Sequence, residues 1–296
     1  MQSAAELIHD LKPGMVSVVG VPTDENSSFL RGAALAPARI RAALYSGEGN
    51  LSAENGIDLS TDQRWKDLGD LELGEGGVAL KQIEDAIRGL LERGMFVLSL
   101  GGDHAITYPI VRAFSQVYES LTVLHLDAHP DLYDEFEHNR YSHACPFARI
   151  MEEGLVGRLV QVGIRTMNPH QRAQAERFGV EVITMRHWHP GLDLDLRGPT
   201  YLSLDLDVLD PGFAPGTSHH EPGGLSTREV LRLIHALQVP IVGADIVEYN
   251  AHRDVVNITA MTAAKFLKEI VGHMLEFNDP REDTVKLPEK AKSVYS

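Results

Sequence analysis

Three side chains able to bind a metal ion lie close together in the segment Asp127-Ala-His-Pro-Asp131. Residues two apart in an extended chain project to the same face, so Asp127 and His129 can face one point, and Asp131 can fold back from the following turn. Two carboxylates and an imidazole form a ligand set suited to Mn²⁺, Fe²⁺, Co²⁺ or Zn²⁺. The alternative is a surface loop of solvated acids beside an exposed histidine, or a capped helix start.

Further candidate ligands occur in two other segments. Asp205 and Asp207 repeat the two-apart spacing after an apolar run, and His104 follows the pair Gly101-Gly102, which allows a sharp turn. Burying several carboxylates together is costly unless cations neutralise them. Six protein ligands exceed what one ion of this type usually takes, so the set favours a pair of ions bridged by carboxylates. The predicted ligands are His104, Asp127, His129, Asp131, Asp205 and Asp207.

Strand and helix patterns alternate along the chain, which predicts a mainly parallel sheet covered by helices on both faces. In such sheets ligands bind at the carboxyl ends of the strands, and the candidate ligands, with Glu248, follow or end predicted strands. The predicted strands are Met15–Val21, Met95–Leu100, Leu121–Leu126, Arg158–Gly163, Val180–Met185, Tyr201–Leu206 and Ile241–Val247. The predicted helices are Pro37–Tyr45, Val78–Glu92, Ile106–Tyr118, Ala144–Glu153, Pro169–Phe178, Thr227–Leu237 and Thr259–Phe277, and residues 46–64 have the composition of a surface loop.

Composition narrows the class of protein. The chain has 296 residues, of which 43% are apolar, so it can form a single domain over residues 1–277 followed by a polar tail, 278–296. Its formal net charge of -15 argues against nucleic acid and anionic membranes as partners, because both favour a basic surface. With Cys145 as its one cysteine the chain has no internal disulfide, and residues 1–13 lack an apolar signal core. These features predict a cytoplasmic protein.

Three segments, in this order, resemble the signature blocks of the ureohydrolases, the arginase and agmatinase superfamily of binuclear manganese hydrolases. They are Gly101-Gly-Asp-His104, Asp127-Ala-His-Pro-Asp131, and Ser203-Leu-Asp-Leu-Asp-Val-Leu-Asp-Pro211 with its continuation Ala214-Pro-Gly216, and the resemblance spans residues 15–276. Three further stretches resemble the plant-type arginases: Asn26-Ser-Ser-Phe-Leu30, Tyr141-Ser-His-Ala144 and Ser218-His-His-Glu-Pro-Gly-Gly-Leu225. Thr217-Ser-His219 departs from the Thr-Gly-Thr continuation of agmatinases, and His220 replaces an apolar residue of the plant-type pattern.

The resemblance implies a three-layer α/β/α fold with a central, mainly parallel sheet of about eight strands, as in arginases and deacetylases. It also implies a homotrimer or homohexamer with two Mn²⁺ per subunit, bridged by Asp127 and Asp205. The remaining ligands would be His104 and Asp131 for one ion, and His129 and Asp207 for the other.

By the same resemblance, a hydroxide bridging the ions attacks the guanidinium carbon of the substrate. Asp131 would orient this hydroxide, Glu248 would pair with the guanidinium, and His143 would carry a proton to the departing amine. The implied substrate is L-arginine, giving L-ornithine and urea. In the loop Leu132–Ser142, Asn139 and Ser142 could donate to its carboxylate, whereas the acids of the loop could repel it. Agmatine, giving putrescine and urea, and other guanidino compounds such as guanidinobutyrate are the alternatives.

Two other classes of protein compete with this hypothesis. A metal-dependent deacetylase of related fold would use one zinc ion, and the second carboxylate pair with His104 argues against it. A non-catalytic relative that binds metal would have a damaged ligand set, yet all six positions are filled.

Overall fold

Eight parallel strands form one sheet in the computed structural model, which describes residues 11–277. The strand order is β2-β1-β3-β8-β7-β4-β5-β6, and every neighbouring pair is parallel. The strands are β1 (Val16–Gly20), β2 (Trp65–Asp70), β3 (Phe96–Leu100), β4 (Thr122–Leu126), β5 (Arg158–Ile164), β6 (Glu181–Thr184), β7 (Thr200–Asp205) and β8 (Ile241–Val247). The predicted tail, 278–296, and residues 1–10 lie outside the described residues.

The central strands are buried along their whole length. Every residue of β3, β4, β7 and β8 is buried, so these strands lack the apolar–polar alternation of a sheet with one face in water. A parallel sheet gives this pattern because its crossover helices cover both faces. The edge strands β2 and β6 are half-exposed over most of their residues.

Seven helices of the described chain form the two outer layers. They are α1 (Ala36–Leu44), α2 (Gly76–Leu91), α3 (Thr107–Ser115), α4 (Pro146–Glu152), α5 (Pro169–Phe178), α6 (Thr227–Ala236) and α7 (Ile258–Phe277). Helices α1, α6 and α7 pack together, whereas α2 to α5 form a second packed series. Both α5 and α6 begin with a capping box, in which a polar side chain before the helix and one in its first turn each accept a backbone N–H. The predicted three-layer α/β/α fold is confirmed. No helix in the span 11–277 is long and apolar enough to cross a membrane.

The edge strand β2 was not predicted. Its sequence, Trp-Lys-Asp-Leu-Gly-Asp, carries few apolar residues, and only Trp65 is buried. Pairing with β1 supplies the missing stabilisation, and Arg41 of α1 forms ion pairs with Asp67 and Asp70 of the strand. An edge strand needs little burial of its own, so its apolar pattern is weak.

Candidate metal centre and active site

The carboxyl ends of β3, β8, β7 and β4 are neighbours and bring the first group of predicted ligands together. Nδ1 of His104 lies 3.2 Å from Oδ2 of Asp127 and 3.1 Å from Oδ2 of both Asp131 and Asp205. All four residues are buried. One imidazole nitrogen therefore faces three carboxylate oxygens that come from two other strand ends.

A second group shares Asp127 with the first. Nδ1 of His129 lies 3.3 Å from Oδ1 of Asp127 and 3.1 Å from Oδ2 of Asp207. The ligand atoms of these three residues lie within 4.8 Å of one another. Asp127 therefore presents one oxygen to each group, which is the geometry of a bridging ligand.

Backbone groups hold the carboxylates in place. The N–H of His129 donates to Oδ1 of Asp127 at 2.6 Å, and that of Asp207 donates to Oδ1 of Asp205 at 2.8 Å. Asp131 has a φ of 48°, in the left-handed region that non-glycine residues rarely adopt. Such a conformation persists only where the surrounding structure enforces it, and here it turns Asp131 back toward His104.

Close packing of the backbone beside His104 explains the glycine pair that follows β3. A Cβ at Gly102 would lie 1.6 Å from the carbonyl oxygen of Thr23. The N–H of Asp103 donates to that oxygen, and the N–H of Glu248 donates to the carbonyl of Gly102. Glycine thus allows three chain segments to meet beside His104.

The side chains of the two ligand groups are chemically suited to divalent cations. Nδ1 of His104 is buried and makes no hydrogen bond among the described residues, although three carboxylate oxygens surround it. Burial, together with the charges of Asp207 and Asp127, raises the pKa of Asp205 well above its usual range. A buried carboxylate is stabilised by a cation, and imidazole with carboxylates suits manganese-like ions. Two groups that share Asp127 fit a binuclear centre.

Polar side chains that support the ligands were not predicted from the sequence. Oγ of Ser203 lies 2.9 Å from Nε2 of His104 and donates to Oδ1 of Asp245 at 2.8 Å. On the other side, Nε2 of His125 lies 2.7 Å from Oδ2 of Asp127, and the amide of Gln161 lies 3.0 Å from Nδ1 of His125. In the sequence, each of these supporting residues is marked only as a polar residue inside an otherwise apolar strand.

A cavity of about 170 Å³ opens beside the two groups. Four acidic residues line it, and we call them its floor: Asp131, Asp205, Asp207 and Glu248. The other lining residues, which we call its walls, include Ser28, Thr166, Gln171 and His219, and the first three were not predicted as binding residues. Ser28, Thr166 and His219 come from three loops far apart in the sequence, and Gln171 lies in α5, so no local pattern relates the four.

His143 and Glu248 form a buried pair in this cavity. Nδ1 of His143 lies 2.8 Å from Oε1 of Glu248, and the N–H of His104 donates to the same oxygen. Burial opposes the charge on His143, but Glu248, with Asp103 and Asp131, outweighs it and raises the pKa of His143 to about 9. Oε2 of Glu248 is buried and has no hydrogen-bond partner among the described residues.

The loop that carries Asn139 and Ser142 contacts the segment around Asn26. The side-chain amide of Asn139 donates to Oδ1 of Asn26, and its oxygen accepts the N–H of Tyr141. Ser142 is 2% exposed. Neither lines the cavity, and the substrate contacts predicted for them stay predictions.

Comparisons with known proteins agree with this geometry. The family model described as the arginase family matches residues 15–272. The chain is 48% identical over 273 residues to "Arginase 1, mitochondrial" of Arabidopsis thaliana, with 86% of this chain and 80% of the relative covered. It is 46% identical over 276 residues to "Arginase 2, chloroplastic/mitochondrial" of the same plant, with 87% and 80% covered. The solved arginase from Medicago truncatula superposes with a TM-score of 0.85 at 40% identity, covering 92% of this chain and 91% of that one.

These relatives contradict the predicted location of the protein and identify its family. The predicted cytoplasmic location is wrong on this comparison, since the Arabidopsis relatives are named as mitochondrial and chloroplastic enzymes. The matched region includes all of the strands and both ligand groups. From its sequence, its fold and its site, the chain belongs to the arginase family of hydrolases.

Proposed function

We propose that this protein is a binuclear manganese arginase that hydrolyses L-arginine to L-ornithine and urea. The observation that carries the proposal is the pair of ligand groups sharing Asp127, four members of which line one cavity together with His143 and Glu248. The names of the plant relatives support the same activity.

Each ligand group would hold one cation. His104 and Asp131 would hold one ion, His129 and Asp207 the other, and Asp127 and Asp205 would contact both. When bound, the ions would supply a water acidic enough to act as a nucleophile near neutral pH.

Glu248 and Asp131 would orient the reactants. The free Oε2 of Glu248 can accept an N–H of the guanidinium, for which a planar carboxylate is geometrically matched. Oδ2 of Asp131 lies beside His104 at the cavity floor, where it can accept a hydrogen bond from the attacking water. The two contacts would hold the guanidinium carbon and the water at reacting distance.

His143 would supply the proton that the departing amine needs. Its raised pKa keeps the ring charged at neutral pH, and its place in the cavity wall gives it access to the substrate. A positioned acid of this kind accelerates proton transfer by about 10²–10⁴-fold.

The cavity walls favour a substrate with a carboxylate. Thr166 and Gln171 line the cavity and offer a hydroxyl and an amide donor. A carboxylate at the far end of arginine would meet donors there, and agmatine has no such group to recognise. The acidic net charge of the chain attracts a cationic substrate.

The test is urea release from L-arginine, agmatine, guanidinobutyrate and guanidine by the manganese-loaded protein. We expect L-arginine to give the highest kcat/KM, and two manganese ions per chain by elemental analysis. A higher kcat/KM for agmatine would contradict the substrate assignment. Absence of urea from every compound, with full metal content, would contradict the proposed function.

We also propose a homotrimer or homohexamer, on the family resemblance. Light scattering of the purified protein decides between three and six subunits, and a monomer would contradict both.

A further inference from the structure

Ser28 contacts the ring of His143 at the nitrogen opposite Glu248. Oγ of Ser28 lies 2.8 Å from Nε2, and the backbone N–H of Ser28 points at the same nitrogen at 3.2 Å, a hydrogen bond that Nε2 accepts only when it carries no hydrogen. Nδ1 on the other side of the ring lies 2.8 Å from Glu248. The ring of His143 is therefore held between a serine and a carboxylate, and Ser28 also lines the cavity.

The segment around Ser28 is fixed to the same histidine by its backbone. The carbonyl of Asn26 accepts the N–H of His143 at 3.1 Å. The N–H of Asn26 donates to Oδ2 of the buried Asp103 at 2.9 Å. Ser27 points elsewhere, since its hydroxyl donates to Asp103. The hydrogen bonds of Asn26 thus hold the segment that places Ser28 against the ring of His143.

The contacts of Ser28 suit both protonation states of the imidazole. Glu248 accepts the hydrogen on Nδ1 in either state. When Nε2 also carries a hydrogen, Oγ of Ser28 can accept it and direct its own hydrogen into the cavity. When Nε2 is bare, it can accept from the N–H and the hydroxyl of Ser28. The ring need not turn between the two states.

The charge around His143 decides how Ser28 can act. The titratable groups that face the ring are Glu248, Asp103, Asp131 and His219, and the three acids favour its charged form. A charged imidazole cannot take the proton of a serine, so Ser28 is not activated as a nucleophile. Its hydroxyl instead accepts from Nε2.

We propose that Ser28 orients His143 and relays its proton to the departing amine. The Nε2–H bond breaks as Oγ gains that proton, while the original proton of Oγ moves to the amine nitrogen. One proton leaves His143 and one reaches the amine, and solvent restores the imidazolium through the cavity mouth. This inference rests on the proposed function.

The kinetic test compares substitutions in the same segment. Ser28→Ala removes the hydroxyl but keeps the backbone N–H, and we expect kcat for urea release to fall by about tenfold or more with KM changed less than about twofold. Ser28→Thr keeps a hydroxyl and should recover most of kcat. Ser27→Ala is the matched control and should stay within about twofold of the parent protein. An equal loss in Ser27→Ala and Ser28→Ala, or an unchanged kcat in Ser28→Ala, would overturn the proposal.

A second readout does not depend on turnover. NMR of histidine-labelled, metal-free protein follows the titration of His143, whose signal is identified by its loss in His143→Asn. Ser28→Ala removes the acceptor of the charged ring, so the midpoint should move down by about half a pH unit or more. The midpoint should return in Ser28→Thr. A midpoint that stays fixed in Ser28→Ala contradicts the contact.

The two readouts separate the inference from the function on which it rests. If the parent protein releases urea but Ser28→Ala changes neither kcat nor the midpoint, the role of Ser28 is wrong and the function stands. If the parent protein releases no urea from any guanidino compound, the function is wrong, and the NMR titration still decides whether Ser28 positions His143.

Discussion

Oγ of Ser203 accepts a hydrogen bond from Nε2 of His104 at 2.9 Å. The direction follows from Asp245, because Ser203 must donate its own hydrogen to that carboxylate. Asp245 also accepts from Thr107 at 2.8 Å and from Tyr201 at 2.7 Å, so it is fixed by three donors. The hydrogen of the neutral ring therefore lies on Nε2, and Nδ1 presents its lone pair to the ligand group.

Ser203→Ala should weaken divalent-metal binding without unfolding the protein. Groups behind a metal ligand typically contribute 10–100-fold in affinity, and we expect a loss of about tenfold in titration calorimetry with Mn²⁺. Ser99→Ala is the matched control, because Ser99 is buried opposite Asp245 and its hydroxyl has no hydrogen-bond partner among the described residues. Equal affinity in Ser203→Ala and the parent protein would show that the ring needs no such support.

Asp205→Asn should reduce the metal content and stabilise the metal-free protein. Burial and the charges of Asp207 and Asp127 raise the pKa of Asp205, so its contribution to stability decreases as the pH rises above the usual range of a carboxyl. Asparagine removes this charge. Near neutral pH we expect calorimetry to show a Tm about 2–4 °C above that of the metal-free parent, the shift given by about 1 kcal/mol. Full manganese content in Asp205→Asn would contradict a bridging role for Asp205.

His143→Asn should slow turnover while leaving the metals in place. His143 contacts Glu248 and Ser28 but no predicted metal ligand, and its loss removes the acid for the departing amine. We expect kcat to fall by about 10²-fold or more with an unchanged metal content and a similar KM. Loss of metal in this variant would indicate a structural role instead.

Glu248→Gln should change the pH dependence of stability. Glu248 contributes most to raising the pKa of His143 from 6.5 to about 9 against the effect of burial. A raised histidine pKa stabilises the fold fully below pH 6.5 and ceases to do so as the pH rises through about 9. The difference in unfolding free energy between parent and variant, both metal-free, should shrink over this range. If the difference in unfolding free energy grew with pH, Glu248 would not be the residue that raises the pKa of His143.

Cys145 should resist alkylation in the folded protein. Burial, with a smaller effect of Asp131, raises the pKa of its thiol to about 12, and the thiolate is the reactive form. Iodoacetamide at mildly alkaline pH should modify the denatured chain at least tenfold faster than the native one, as followed by mass spectrometry. Similar rates in both states would show that the loop before α4 opens readily.

The amino-acid sequence by itself determined the ligand types and their position at strand ends. The apolar runs before Asp127 and Asp205 predicted buried strands, and the two-residue spacing of the ligands predicted which side chains share a face. Strand–helix alternation then required a parallel sheet, which brings strand ends to one edge. These inferences depend on local periodicity, which a sequence displays directly.

The tertiary structure alone decided which residues meet. Ser28 and His143 are 115 positions apart, and His104 and Ser203 are 99 apart, so no local pattern relates them. The order of the strands, which places β8 between β3 and β7, brings Asp245 and Glu248 to the site. The physical reason is that side chains from distant segments bury and hydrogen-bond one another in a single core. The sequence shows only the local pattern of apolar and polar residues in each segment.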